Sequence, residues 1–205
     1  IESGGTTVAG ITTDFDGNVR NVTTPDIGAD EGTFTLADFT PPSITYTPLT
    51  FTCATGSRTL TASITDASGV PTAGAGLPVL YWRINAGAWT AATGVFVSGS
   101  NYDFTFGSGV VTGDLVEYYI VAQDNAGTPN VGASPSAGAA GFTANPPAAA
   151  TAPTTPSSYS ISNILSGTYT VGAAGTYTTL TAAINAYNTS CLGGPVVFSL
   201  IDASY

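Results

Sequence analysis

The sequence predicts an all-β protein, on three observations. Thr, Ser and Gly crowd the chain, Pro recurs through it and Met is absent, a composition that suits pleated, half-buried strands better than helices. Between residues 41 and 145, apolar and polar side chains alternate with the period of a strand. The alternating runs are closed by Gly, Asp and Asn, residues that tight turns select.

Residues 1–40 contain DFDGN at 14–18 and PDIGADEG at 25–32. Their acids, Asp14, Asp16, Asp26, Asp30 and Glu31, form the densest acidic cluster of the chain. Calcium takes carboxylate and carbonyl oxygens, and Asp14, Asp16 and Asn18 present such oxygens around a glycine turn. The spacing departs from that of an EF-hand, whose distal Glu is missing. Asp and Asn also bond their own backbone in tight turns, and that use is favoured over calcium here.

Residues 41–145 open on Pro41-Pro42 and run to Asn145, before Pro146-Pro147. In RTLTASITD, Leu60, Ala62 and Ile64 share a face, and DASG at 66–69 is a turn. In PVLYWRIN the shared face is Leu80, Trp82 and Ile84, and Asn85-Ala86-Gly87 turns the chain into a short AWT strand. NYDFTF aligns Tyr102, Phe104 and Phe106. Gly113-Asp114 leads into LVEYYIVAQD, where Val116, Tyr118, Ile120 and Ala122 alternate with residues that are also largely apolar. A strand apolar on both faces belongs at the centre of a sheet. Six or seven strands in about a hundred residues is an immunoglobulin-like count. The runs RTLTASITDASGV, VLYWRINAGAW and above all GDLVEYYIVAQDNAG resemble the immunoglobulin and fibronectin type III-like modules of bacterial surface proteins. That resemblance covers about half the chain and implies a spacer or adhesion unit.

Residues 146–163 are rich in Pro, Ala and Thr and read as a linker. As polyproline II the stretch reaches at most about 40 Å; alternatively it lies as an ordered strap along a neighbouring surface.

Residues 164–205 change pattern. TYTV reads as a strand, and LTAAINAYN places Leu180, Ala183, Ile184 and Tyr187 on one helical face. Thr178 or Thr179 supplies the N-cap. Gly193-Gly194-Pro195 is expected to break the chain before VVFSL resumes as a strand. Strand, short helix and strand resemble the N-terminal cap of pectin-lyase-like parallel β-helices, in particular those of Bacteroidota cell-surface proteins. DFDGN with PDIGADEG resembles the closing segment of the same modules. The chain is therefore expected to hold an immunoglobulin-like β-sandwich flanked by the closing and opening segments of parallel β-helices, with one short capping helix.

Solenoid coils bury their apolar face only by stacking. The two ends can meet within the chain, between successive copies, or through coils of a larger polypeptide. Contact between copies is heterologous and builds a fibre. A chain that begins at Ile and carries neither signal peptide nor sorting tail is expected to be a processed or excised segment.

Charge narrows the partners. Thirteen acids face three arginines, with no lysine, for a net charge of −10. Nucleic acid and anionic lipid both select basic surfaces, so neither is an expected partner, and no run of apolar residues is long enough to span a bilayer. With no His and no Lys, triad, Schiff-base and imidazole–metal catalysis are excluded within the chain. A carboxylate pair acting on polysaccharide is the remaining enzymatic option, set aside because only terminal coils are present. Cys53 and Cys191 lack metal-site spacing and are either a long-range disulfide or two buried thiols. Asp66, Asp124 and Asn125 read as turn caps rather than calcium ligands between modules. Trp82, Trp89, Tyr81, Tyr102, Tyr118 and Tyr119 read as core and cross-strand packing, with Trp89 the best candidate for an exposed sugar-stacking ring. Asn21-Val22-Thr23 and Asn188-Thr189-Ser190 fit the glycosylation pattern.

The reading is a non-catalytic, extracellular repeat of a fibre or giant surface adhesin, needing no cofactor and joined head to tail to further copies. By resemblance it would reach the cell surface through type IX secretion. The alternative is a carbohydrate-binding module that recognises surface glycans.

Overall fold

In the structure, a computed structural model, residues 2–33 and 37–203 are described. Residues 34–36 of the expected closing segment and 204–205 of the expected opening coil lie outside that range. The chain forms two compact units, Ile1–Asp38 and Phe39–Tyr205.

The smaller unit is built from turns. Residues 12–20 double back, with Thr13 bridging Val19 and the Arg20 N–H donating to the Thr12 carbonyl. Gly17 sits at the tip with φ of 87°, a left-handed conformation that glycine adopts without penalty.

The larger unit is almost entirely β. One antiparallel sheet contains β1 (Ser43–Tyr46), β2 (Arg58–Thr65), β5 (Val95–Ser98) and β6 (Asn101–Phe106), in the order β1-β2-β6-β5. A second contains β3 (Val79–Ile84), β4 (Thr90–Thr93), β7 (Leu115–Gln123) and β11 (Ser157–Ser160), in the order β11-β7-β3-β4, and β8 (Val131–Ser134) also pairs with β7. Their inner faces meet in one core. Leu60, Ala62 and Ile64 of β2 and Tyr102, Phe104 and Phe106 of β6 pack with Leu80 of β3 and with Val116, Tyr118, Ile120 and Ala122 of β7. These are the residues that the alternation aligns. β7 is buried on its other face too, through Tyr119 and Val121.

Two turns carry their own chemistry. Asn85 and Ala86 both have positive φ, and the Gly87 N–H closes onto the Ile84 carbonyl at 2.8 Å, the left-handed hairpin geometry that matches strand twist. The paired strand then starts at Thr90, the last residue of the AWT stretch, and runs to Thr93. Between β4 and β5 the chain leaves one sheet for the other at Gly94. A Cβ there would lie 2.8 Å from the Phe104 ring and 3.0 Å from the Pro78 carbonyl oxygen, so the crossover requires a residue without one.

Residues 146–163 take the strap form. Ala148–Ala149 (β10) pairs with Phe142–Thr143 (β9), and β11 pairs with β7 from Ser157↔Tyr118 to Ser160↔Leu115. The cause is Tyr159, whose buried ring packs against Phe106 and Tyr118. A free polyproline spacer would leave that ring in water.

The chain ends in β12 (Ile164–Val171), α1 (Leu180–Asn188) and β13 (Cys191–Leu200), with β12 and β13 parallel. Thr179 caps the helix, its Oγ accepting the Ala182 N–H at 3.1 Å. The break expected at Gly193-Gly194-Pro195 is instead a bulge within one strand. Register jumps from Leu165↔Leu192 to Gly167↔Val196, so Pro195, which has no N–H, is never asked to donate to the ladder.

Cys53 and Cys191 are bonded to each other. Closing a loop of 138 residues is worth about 5 kcal/mol in the chain-entropy model.

Two outcomes follow for stability. Gly94→Ala should cost about 1–3 kcal/mol through overpacking against Phe104, read as a lower urea midpoint with unchanged slope. Cys191→Ser should cost about 2–5 kcal/mol, and a variant as stable as the parent would remove the bond from the account.

Candidate functional site

Among the described residues, one exposed apolar surface lies at the C-terminal strand pair. Parallel strands are normally covered on both faces. Here Tyr169 of β12, Phe198 of β13, Tyr177 ahead of α1 and Tyr187 within it form one aromatic cluster. It covers one side only partly. Ala183 is buried, but Ile184 stays 47% exposed and Leu180 and Tyr187 are exposed beside it. On β13, Leu192 and Leu200 are exposed and Val197 is 54% so.

β13 is also an open edge. Among the described residues it pairs with β12 alone. Proteins commonly guard such edges with charged side chains, and CLGGPVVFSL has none. Pro195 and its bulge interrupt the edge near its start, leaving Val196 to Leu200 in regular register. The absence of charge extends much further. From Asn125 to Ile201 the sequence contains no Asp, Glu, Lys or Arg. That run was legible from the beginning and is the signal that identifies Leu192, Val197 and Leu200, which the helical pattern alone does not single out.

The smaller unit places the calcium candidates on one turn. Asp14 is buried, and its two carboxylate oxygens accept the Asn18 N–H at 2.7 Å, the Asn18 Nδ2 at 3.0 Å and the Glu31 N–H at 3.0 Å. Asn18 thus faces Asp14 as a donor, and Asp16 is exposed at the tip. Burial opposes ionisation of Asp14, but the hydrogen bonds from Asn18 and Glu31 outweigh it and hold its carboxyl down at about 2. Asp26 accepts the Gly32 and Ser3 N–H groups, and these bonds lower it as well. Glu31 accepts the Asn21 and Asp26 N–H groups and lies 3.7 Å from Arg20. Each of these carboxylates serves a turn amide. Around them Val8, Ile11, Val19 and Val22 are exposed and line a concavity of about 660 Å³.

The acids of the larger unit act in the same way. Asp124 is fully buried and accepts from the Ala126 and Asn130 N–H groups and from Asn130 Nδ2. Asp66 accepts the Ser68 N–H, and Asn125 donates to the Gly69 carbonyl. The two loops are thereby joined.

Most of the aromatic rings are engaged. Tyr102 and Tyr118 are core, and Tyr118 Oη accepts the Leu49 N–H. Trp82 packs on Phe106. On the outer face of the second sheet, Tyr81 stacks on Tyr119 and Trp89 meets Tyr119 edge-on. The Arg83 guanidinium lies 4.4 Å over the half-buried Trp89 ring and pairs with Glu117 at 2.8 Å. One face of the Trp89 ring is thus occupied by Arg83.

Neither protein-family models nor curated proteins yield a match to this chain. Among the described residues no helix is long and apolar enough to cross a membrane.

The lowered carboxyls set a pH dependence. Asp14 titrates near 2 when folded against about 3.9 when unfolded, so its contribution is complete above about pH 4 and lost as pH falls through about 2. The Asn18 and Glu31 amide resonances should move over that window, and Asp14→Asn should abolish the movement.

Proposed function

We propose that the protein is a non-catalytic structural repeat of an extracellular fibre or surface adhesin, joined to further copies through solenoid ends. The two facing sheets are an immunoglobulin-like sandwich acting as the spacer, and β12, α1 and β13 are the opening of a parallel β-helix. The observation that carries the reading is the edge of β13: a regular, uncharged parallel strand with Val197 and Leu200 exposed and nothing pairing its second side among the described residues. A parallel pair of this kind is an unfinished layer, and the next coil would complete it.

Further support comes from what surrounds that edge. The exposed side of α1 adds Leu180 and Ile184 to the same apolar region. The smaller unit offers an apolar concavity on the other end of the sequence, and two different surfaces meeting head to tail give an open chain of copies rather than a closed ring. A disulfide fits an oxidising, extracellular setting and agrees with secretion to the cell surface. Resemblance alone suggests a Bacteroidota-type source and the type IX route.

End-to-end association is measurable. Electron micrographs of the concentrated chain should show strings of copies at a fixed axial spacing, and amides of residues 196–200 should gain protection from hydrogen exchange on assembly. Val197→Lys should leave the fold intact and abolish both effects. A chain that stays single at every concentration, with residues 196–200 already protected, contradicts the proposal, as would saturable binding on a glycan array lost on Trp89→Ala.

A further inference from the structure

The covalent path through this protein is far shorter than its sequence. Cys53 and Cys191 are 138 residues apart along the chain, yet their Cα atoms lie 6.1 Å apart. They meet because both flank residues 160–163. Thr52 donates its N–H to the Ser160 carbonyl and accepts the Ser162 N–H, while the Cys191 N–H donates to the Asn163 carbonyl. Each buried residue of the core between the two sheets, from Leu60 to Ile161, falls inside the loop that the bond closes. So do β12 and α1. Outside it remain β1 on one side and β13 beyond Cys191 on the other.

We propose that the Cys53–Cys191 bond is a tension bypass. Load applied along the chain reaches Cys53, crosses the sulfur–sulfur bond and leaves at Cys191, and every strand of the two packed sheets except β1 lies off that path. The source of the load rests on the fibre reading given above; the load path itself follows from where the bond lies. Strand pairs and side-chain packing are non-covalent and yield under a sustained pull, and each sheet that yields lengthens a fibre. With the bond closed, even complete unfolding of the loop adds no length between its two ends. With the bond open, the same unfolding releases 138 residues, at about 3.3–3.6 Å each, or roughly 450–500 Å.

The placement of the core gives the bypass its purpose. A disulfide within one hairpin would shield a few residues. This one removes all of the sandwich but β1 from the load path and leaves the turns of the smaller unit, β1 at the margin of its sheet, and the β12–β13 ladder as the contacts under load. The β12–β13 ladder is the element that the proposed neighbouring coil would reinforce.

The full chain, held between two marker domains in a single-molecule force instrument, tests this directly. Oxidised, it should extend only by the residues outside the loop. Adding dithiothreitol, whose two thiols are oxidised to an internal disulfide as Cys53–Cys191 is reduced to two thiols, should lengthen the same tether by a further 450–500 Å or so. Cys53→Ser with Cys191→Ser should show the long extension without reductant; should that variant not fold, reduction of the tethered parent decides. Full extension of the oxidised chain, no change on reduction, or two reactive thiols in the denatured unreduced protein would each overturn the bypass. The assembly reading is separable: the expected force trace without end-to-end strings leaves the bypass standing and removes the fibre, and strings with full oxidised extension do the reverse.

Discussion

β7 is the strand on which the larger unit depends. Its nine residues carry apolar side chains on both faces for most of their length. Val116, Tyr118, Ile120 and Ala122 fill the space between the sheets, while Tyr119 and Val121 are buried on the outer side. Both of its edges are used, by β3 on one and by β8 and β11 on the other. A strand so enclosed cannot be solvated in any part of its middle, and every element near it is arranged to keep water away. The strap bearing Tyr159 is the clearest instance: residues with little intrinsic preference for order become a strand because β7 has an edge to satisfy and the core has room for a ring.

Much of this was legible because the pattern with a period of two is a direct record of which side chains face a core. Leu60, Ala62, Ile64, Tyr102, Phe104 and Phe106 could be assigned a common side without any knowledge of the fold. The helix around Ala183 was equally readable, with its cap narrowed to Thr178 or Thr179, of which Thr179 serves. Three features were not. β5 is short, bulged and exposed at Val95 and Val97, so it lacks the alternation that marks a half-buried strand. The strap hides its order in a single aromatic residue among Pro, Ala and Thr. Gly193-Gly194-Pro195 looks like a stop, since local chemistry cannot reveal that a partner strand skips the same positions. In each case a tertiary neighbour decided what local composition left open.

The candidate sites divide along the same line. Asp14, Asp26 and Glu31 were readable as turn-forming acids; their bonds from the Asn18, Gly32 and Asp26 amides are local, whereas those from Ser3 to Asp26 and from Glu31 to Asp14 join distant turns that sequence does not announce. The open side of β13 is a property of what is not beside it, and no residue type announces that. What the sequence did hold was a long interval without charge. Such intervals are informative because charged side chains are the ordinary means by which strands avoid one another. Where the chain omits them, the omission coincides with the strap, the helix and the parallel pair.

The three arginines have a consequence for resistance to proteolysis. Proteases that cleave after basic residues have only Arg20, Arg58 and Arg83 to attack, since the chain has no lysine. Arg20 is bonded to the Asp26 and Gly28 carbonyls, Arg58 to the Thr50 carbonyl with its guanidinium over the Tyr159 ring, and Arg83 to Glu117 and the Trp89 face. A digestive pocket must draw such a side chain out of its own contacts and unravel the neighbouring backbone before it can cut. The scarcity of positive charge leaves trypsin-like enzymes little to hold.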